Sequence, residues 1–480
     1  MSFLIRLVFF SILFSFSFQS CAALKKRKHE PEVMENVGVS SAIESALQTP
    51  DFDQGEWPSH NWWTLFDDVQ LSEIMELAIE NNPDLMAAVS RVNAAQEEAK
   101  KVRSALFPKL DGSFKDNYQH LSKDSLDRFP PSAIPAVINQ INLALNFEYE
   151  IDLFGKNRNR YQAALGKARA QAAEMSQSLL MITVALAETY FNYGANLFNL
   201  QLAQELRLAQ KGLLEQMILR KDNGIEDQIG VDQAAAAFLT FEENVAIYEK
   251  EVQLNRNQLK ILMGISPDDA REFIPPTPSF NRPFPLPETL PLNLLSRRPD
   301  LMAQIWNVEA AAHLISAAKA DFFPNINLIS FAGLESLKWH RLFSASNFAA
   351  SLAPAINLPL FTGGRLTAQL NENYAQYDAA VHDYNALVLK AAKEVADQIK
   401  ILQTTSEENQ LQAQVMEKMI NISDLTIKRY QNGIDNYLIV LQKQINLFQE
   451  GIKEVGIQNE RYLSVLHLIK ALGGGYVGRE

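Results

Sequence analysis

Residues 141 to 153 read INLALNFEYEIDL and alternate without a slip. Ile141, Leu143, Leu145, Phe147, Tyr149, Ile151 and Leu153 share one face of a strand, while Asn142, Ala144, Asn146, Glu148, Glu150 and Asp152 share the other. A strand this apolar on one side and this acidic on the other suits two surroundings: a sandwich sheet with one wet face, or a barrel wall between lipid and water. The barrel gains weight because the device recurs in NFAASLAPAINL at 347 to 358, where Phe348, Ala350, Leu352 and Ile356 alternate with Asn347, Ala349, Ser351 and Asn357. With alternating segments at 109 to 120 and 325 to 335, the chain offers four strands, and all reach the roughly 9 to 11 residues that a tilted membrane strand needs. Residues 121 to 140, with Pro130, Pro131 and Pro135, read as a long loop at the outer end.

Four strands cannot close a barrel, and an open edge is not tolerated in lipid, so several chains must share one wall. Two chains would give eight strands with an interior filled by side chains, and three would give twelve around an aqueous bore.

The residues after the strand, FGKNRNR at 154 to 160, open a tract without proline until Pro267. That tract belongs to a plan that occurs twice, at a spacing of roughly 210 residues, far beyond solenoid periods. NNPDLMAAV at 81 to 89 matches RRPDLMAQI at 297 to 305, and Pro108 and Pro324 each follow 25 residues after the motif proline. DLFGKNR at 152 to 158 pairs with PLFTGGR at 359 to 365, RKDNGIED at 220 to 227 with RYQNGIDN at 429 to 436, and LKILMG at 259 to 264 with IKALGG at 469 to 474. The first copy covers 57 to 264 and the second 299 to 475; the strap between them, 265 to 298, holds eight prolines, and 476 to 480 is a tail.

Each copy predicts the same order of elements. A helix (83 to 107, 299 to 323) begins at a proline with Asp84 or Asp300 in its first turn, and two strands follow. A very long helix (155 to 221, 364 to 430) then reaches an Asn-Gly turn, and a shorter one (230 to 263, 437 to 472) returns. The long helix would extend roughly 100 Å at about 1.5 Å per residue. The returning and first helices of one copy together hold 59 residues, so stacked end to end they run nearly the length of the long one. This arrangement puts the strands at one end and the Asn-Gly turn at the other. Tyr161, Leu165, Ala168, Ala172, Met175, Leu179, Ile182 and Leu186 form a heptad seam, as do Tyr377, Val381, Tyr384, Val388, Ala391 and Val395.

Composition sets outer bounds. The 480 residues are 47% hydrophobic and 21% charged, which are globular values, and the net charge of −12 argues against nucleic acid as a partner. Residues 1 to 20 carry Arg6 and the apolar run LVFFSILFSFSF, too short to span a bilayer and placed as a signal peptide. The single cysteine, Cys21, follows directly and is the candidate for lipidation; ordinary cleavage after Ala22 in a Ser20-x-Ala22 pattern is the alternative. Residues 21 to 56 read as a lipid-anchored tether, polar and flexible as far as about Gln54. No catalytic or metal constellation emerges: the seven histidines are scattered singly, and FTGGRLTAQ lacks the ending of a phosphate loop. No cofactor is expected, and the chain does not read as an enzyme.

WPSHNWWTLFDDVQLSEIMELAIENNPDL at 57 to 85, RRPDLMA at 297 to 303, LPLFTGGR at 358 to 365 and RYQNGIDNYLIVLQKQINLF at 429 to 448 resemble the outer membrane efflux proteins, the TolC-like outer membrane factors, in their lipoprotein branch. The resemblance covers about residues 57 to 475. It implies a mainly α, internally duplicated chain in which a homotrimer shares a twelve-stranded transmembrane β-barrel, four strands per chain, continued by a long α-helical barrel through the periplasm. It also implies docking to a periplasmic adaptor (membrane fusion protein) and an inner-membrane pump, with the barrel in outer membrane lipid. The function is then the exit duct of a tripartite efflux system. Two alternatives stay open: the duct of a protein secretion system, and a structural coiled-coil lipoprotein without a channel.

On this reading Asn146, Glu148, Glu150 and Asp152 face the lumen, while Leu145, Phe147 and Tyr149 face lipid. Asp227 and Asp435 sit beside the two turns, with Arg220 and Arg429 just before them. Carboxylates brought together by symmetry would bind cations, and ion pairs within or between tips would hold a closed state. Asp435 could equally only cap or solvate a turn. In similar proteins a Tyr-x-x-Gly segment contributes to the closed tip, and here it runs from Tyr430 to Gly433; Ile439 and Gln442 stand where TolC has carboxylates.

Overall fold

The computed structural model describes residues 30–34, 38–122, 135–280, 283–287 and 290–478. The signal segment, Cys21, residues 123 to 134 of the expected outer loop, and the last two residues lie outside the described residues. The elements run α1 (Ser40–Ala46), β1 (Phe52–Gly55), α2 (Val69–Asn81), α3 (Pro83–Arg103), β2 (Lys109–His120), β3 (Val137–Ile151), α4 (Lys156–Asp222), α5 (Gln228–Leu262), β4 (Phe284–Pro287), α6 (Leu290–Arg297), α7 (Pro299–Ala320), β5 (Asn325–Ser336), β6 (Phe348–Asn357), α8 (Arg365–Gln431) and α9 (Tyr437–Ala471). No helix among the described residues is long and apolar enough to cross a membrane. The chain divides into two compact units.

The first unit holds Val92–Gln171 and Gln304–Asp383 together with residues 30–33. Its four strands form one antiparallel sheet in the order β2-β3-β5-β6. Register converts the alternation of each strand into two faces of the whole sheet. Phe114, Leu143, Leu334 and Phe348 form one row, Leu110, Phe147, Ser330 and Leu352 another, and both lie on the apolar face. One residue further on, Lys115, Asn142 and Glu335 align on the polar face, as do Asp111, Asn146, Phe331 and Ser351. A slip of one residue in any pair would mix the faces. Gly333 stands in register with Ala144 and Ala349, and a Cβ there would lie 2.3 Å from the Leu143 carbonyl oxygen, so the close approach of β3 and β5 requires glycine. β2 and β6 are paired on one side only, leaving two long open edges.

β3 differs from its expected span. It begins at Val137, where Leu121 N–H donates to Ala136 O (2.7 Å) and closes the connection, and it ends at Ile151. Asp152 therefore lies past the strand, and its carboxylate accepts the Arg158 N–H (2.8 Å) in the first turn of α4. Helices of this unit pack through Ile315, Ala318 and Leu370, flanked by Phe322, Tyr374 and Tyr377.

The second unit holds Met34–Arg91, Ala172–Ala303 and Tyr384–Glu480. Here the returning and first helices of each copy meet end to end by one device used twice. Asn82, just before the Pro83 that starts α3, donates from Nδ2 to the carbonyl of Leu262, the last residue of α5 (2.8 Å), and its Oδ1 accepts from Asp84 and Leu85 N–H. At the equivalent place, Arg298 donates to the carbonyl of Ala471, the last residue of α9 (3.2 Å). Gly264 and Gly473 turn the chain out of α5 and α9 at φ +72° and +89°, and a Cβ on either would strike the carbonyl of Asn81 or Arg297, at 2.3 and 2.0 Å. The paired motifs NNPDL with LMG, and RRPDL with LGG, are thus the two sides of one joint.

Arg298 is buried and carries more than its counterpart: it also binds Asp300 (2.7 Å) and Glu394 (2.7 Å). Burial alone would lower its affinity for the proton, but the hydrogen bond and charge of Asp300, joined by Glu394, outweigh burial and hold the guanidinium pKa above its ordinary value. A second knot ties α2 to α4 and the strap. Buried Asp68 caps α2 through Leu71 N–H (2.9 Å), accepts the Tyr190 hydroxyl (3.0 Å), and accepts Thr277 N–H (3.2 Å), while Gln70 Nε2 donates to the same hydroxyl (2.8 Å). Burial first of all pushes the Tyr190 pKa well above the usual range, so the phenol stays protonated as a donor.

Three further expectations change. Within residues 21 to 56, α1 buries Ile43 and Ala46, and β1 pairs in parallel with β4, from Phe52 with Phe284 to Gly55 with Pro287. That stretch looked flexible because its order comes from distant pairing and not from local pattern. The proline strap likewise contains a helix, α6. Finally, the seam of α8 is buried from Val381 to Val395, whereas of the seam expected on α4 only Ala168 and Leu186 are buried and the rest is half-exposed; Ala163, Ala170, Ala173, Leu180, Val184 and Ala187 are buried beside them.

Candidate functional site

Two helical turns are the sites at which the sequence places charge. Both belong to the second unit. α4 and α8 end in the same way: Gly224 and Gly433 adopt φ +70° and +71°, Gly224 N–H donates to Lys221 O (2.8 Å) and Ile225 N–H to Arg220 O (2.8 Å), with Gly433 to Tyr430 and Ile434 to Arg429 at 2.9 Å each. Asn223 and Asn432 reach back from Nδ2 to the carbonyls of Leu219 (2.6 Å) and Lys428 (2.7 Å). The backbone of the two turns is therefore the same.

Their charged groups are not arranged as the sequence reading pairs them. Asp227 is the N-cap of α5, accepting Gly230 N–H at 2.9 Å, and its counterpart is Asn436, which caps α9 through Ile439 N–H at 3.2 Å. The residue equivalent to Asp435 is Glu226. Arg429 grips Asp435 through two hydrogen bonds, Nε to Oδ2 at 2.7 Å and Nη2 to Oδ1 at 3.0 Å, whereas Arg220 reaches Glu226 only at 3.7 Å. The Arg429 guanidinium holds the Asp435 carboxyl below the usual carboxylate range, and Asp435 in turn raises Arg429. Tyr430 lies against Tyr437 with ring centroids 5.5 Å apart. Counting both copies from their Asn-Gly step would have identified Glu226, which aligns with Asp435 in RKDNGIED against RYQNGIDN.

The sheet is the second candidate region. Leu145, Phe147 and Tyr149 lie on the apolar face, and Leu145 is 55% exposed although it is flanked on both sides by other strands. Asn146, Glu148 and Glu150 lie on the polar face; Asp152 lies beyond the strand. Polar groups there bind one another: across strands Asn146 to Ser113 (2.8 Å) and Asn142 to Glu335 (3.0 Å), within β2 Lys109 to Asp111 (2.8 Å), and from β3 to the start of α4 Glu150 to Lys156. One side of the sheet carries these polar contacts, and the other is largely apolar and exposed. Among the described residues no group of three or more His, Cys, Asp or Glu is arranged to hold a metal ion.

A sheet with one polar and one apolar face, continuous helices of 67 residues and a twice-used helix joint are the build of an outer-membrane channel protein. The family model "Outer membrane efflux protein" matches residues 74–265 and 290–474, and the chain belongs to that family. It is 27% identical over 482 residues to the multidrug resistance outer membrane protein MdtP of Escherichia coli, covering 98% of this chain and 97% of that one. It is 30% identical over 419 residues to the toluene efflux pump outer membrane protein TtgF of Pseudomonas putida, covering 87% and 85%. Among solved structures, the outer membrane protein VceC of Vibrio cholerae superposes with a TM-score of 0.78 at 30% identity over 87% of this chain and all of that one. The protein is thus an outer membrane efflux protein.

Proposed function

We propose that three copies of this chain share one barrel of twelve strands in the outer membrane and form the exit duct of a tripartite efflux system, fed by a periplasmic adaptor and an inner-membrane pump. The observation that carries this reading is the sheet itself: two open edges and a bare apolar face need lipid on one side and further strands on both edges. At a rise of about 3.3 Å per residue and a tilt of about 40°, strands of this length span the ~25 Å apolar band of an outer membrane. The polar face, with Asn146, Glu148 and Glu150, lines the bore, and Leu145, Phe147 and Tyr149 contact lipid. The duplicated plan gives each trimer six helical tips, and these form the periplasmic gate. Arg429 with Asp435 is the firm latch of the second tip, with Tyr430 beside it; Arg220 with Glu226 is the loose latch of the first, and Asp227 holds its returning helix in place. Cys21 carries the lipid that tethers the N-terminus to the membrane.

Transport through such a duct is passive; direction and cargo come from the partners. Reconstitution of the detergent-purified protein in planar bilayers tests the reading. Discrete conductance steps in symmetrical salt, increased by Asp435→Ala, are the expected result, and protein that inserts no conductance over a wide concentration range contradicts it.

A further inference from the structure

We infer that residues 337–344, the connection between β5 and β6, form an anchor for phosphate-bearing anionic lipid headgroups at the outer rim of the sheet. This rests on the reading of the sheet as a membrane wall. All four helix connections leave the strands at the other edge of the sheet, at Lys109, Ile151, Asn325 and Asn357, so this loop stands at the edge away from the helices.

The segment is built, not loose. Arg341 N–H donates to Lys338 O (3.1 Å), Leu342 to Trp339 (3.2 Å), Ser344 to Arg341 (2.9 Å) and Asn347 to Ser344 (2.9 Å), and Ser336 Oγ donates to Lys338 O (2.8 Å). Leu342 is buried at 1% exposure and pins the loop to the rim. Around that pin the remaining side chains point outward: Lys338, Trp339, His340, Arg341 and Phe343 are all exposed, Phe343 at 80%. Trp339 also meets Phe114 with centroids 5.7 Å apart, so its ring is continuous with the apolar face. Neither Lys338 nor Arg341 has a carboxylate in ion-pair range among the described residues, in a chain whose net charge is −12. Aromatic rings at the level of the headgroups, with unpaired cations beside them, are the chemistry that a negatively charged membrane surface recognises. Water alone would leave two large rings more than half exposed.

The test compares full-length protein with Lys338→Glu/Arg341→Glu in detergent, titrated with phosphatidylglycerol, phosphatidylcholine or inorganic phosphate and read by native mass spectrometry. The wild type should retain phosphatidylglycerol preferentially, and the double variant should lose roughly 5- to 30-fold of that retention with phosphatidylcholine unchanged. Quenching of wild-type tryptophan fluorescence by brominated lipid should fall in Trp339→Phe, placing that ring at the lipid. A double variant that keeps the preference, a Trp339→Phe protein quenched like the wild type, or full competition by millimolar phosphate overturns the inference. Channel conductance of the same preparations separates the two readings: conducting protein without lipid preference sinks the anchor alone, and protein that neither conducts nor binds lipid sinks the membrane wall with it.

Discussion

The same helix joint is made in the first half by a neutral amide and in the second by a guanidinium. Asn82 satisfies Leu262 O and caps α3, and nothing charged enters; Arg298 satisfies Ala471 O and in addition neutralises Asp300 and Glu394. The turns differ in the same sense, with a forked ion pair at Arg429 and Asp435 and a single long one at Arg220 and Glu226. Glycine and proline hold the same backbone geometry in both halves, while the ion pairs are concentrated in the second. Identical backbone therefore does not mean identical response to mutation.

Arg298→Ala gives the largest difference between the halves. It strips the partner from Asp300 and Glu394 near a buried site and should cost about 3 kcal/mol, because charges left without a partner dominate such losses. Asn82→Ala removes one cap and one hydrogen bond and should cost about 1 to 2 kcal/mol. Chemical denaturation in detergent measures both, and equal losses would remove the asymmetry of the joints. On the sheet, by contrast, the halves should respond alike. Leu145→Arg and Leu352→Arg each put a charge on the apolar face and should cost roughly 2 to 4 kcal/mol near the bilayer midplane, whereas Asn146→Arg should be tolerated. Outer-membrane levels of the folded protein report this, and equal tolerance at Leu145 and Asn146 would reverse the assignment of faces.

Smaller effects are expected at the turns. Asp435→Ala should raise conductance in planar bilayers more than Glu226→Ala, since only the former releases a forked pair. The pH dependence follows from the sign of the shift: a carboxyl whose pKa is lowered in the folded state keeps its stabilising contact above the ordinary carboxylate range and loses it as pH falls through the lowered value. Closed-state conductance should thus stay flat from neutral pH to about 4 and rise below it, and Asp435→Asn should abolish that rise. A rise already complete at pH 5 would assign the latch to another group.

Most of the secondary structure was legible because its signals are local. Alternation in 141 to 153 and 347 to 358 marks strands, and the Asn-Gly steps and Pro83 and Pro299 mark helix ends. What escaped depends on residues far apart in sequence. β1 acquires order only from β4, more than 200 residues later, and the Asp68–Tyr190 bond spans 122. The roles of Asp152 and Asp227 escaped for a different reason: composition locates a carboxylate near a helix start, but only geometry reveals that it caps the helix instead of lining a passage. The buried stripe of α4, rich in alanine, gives a weaker periodic signal than the larger apolar side chains that the structure leaves half-exposed.

The mass of the particle extracted into detergent bears most directly on whether an open four-stranded sheet is completed by neighbours. Light scattering corrected for bound detergent should give about three times the mass of the 54.0 kDa chain. A 54.0 kDa species that stays dispersed in plain buffer without detergent would contradict it.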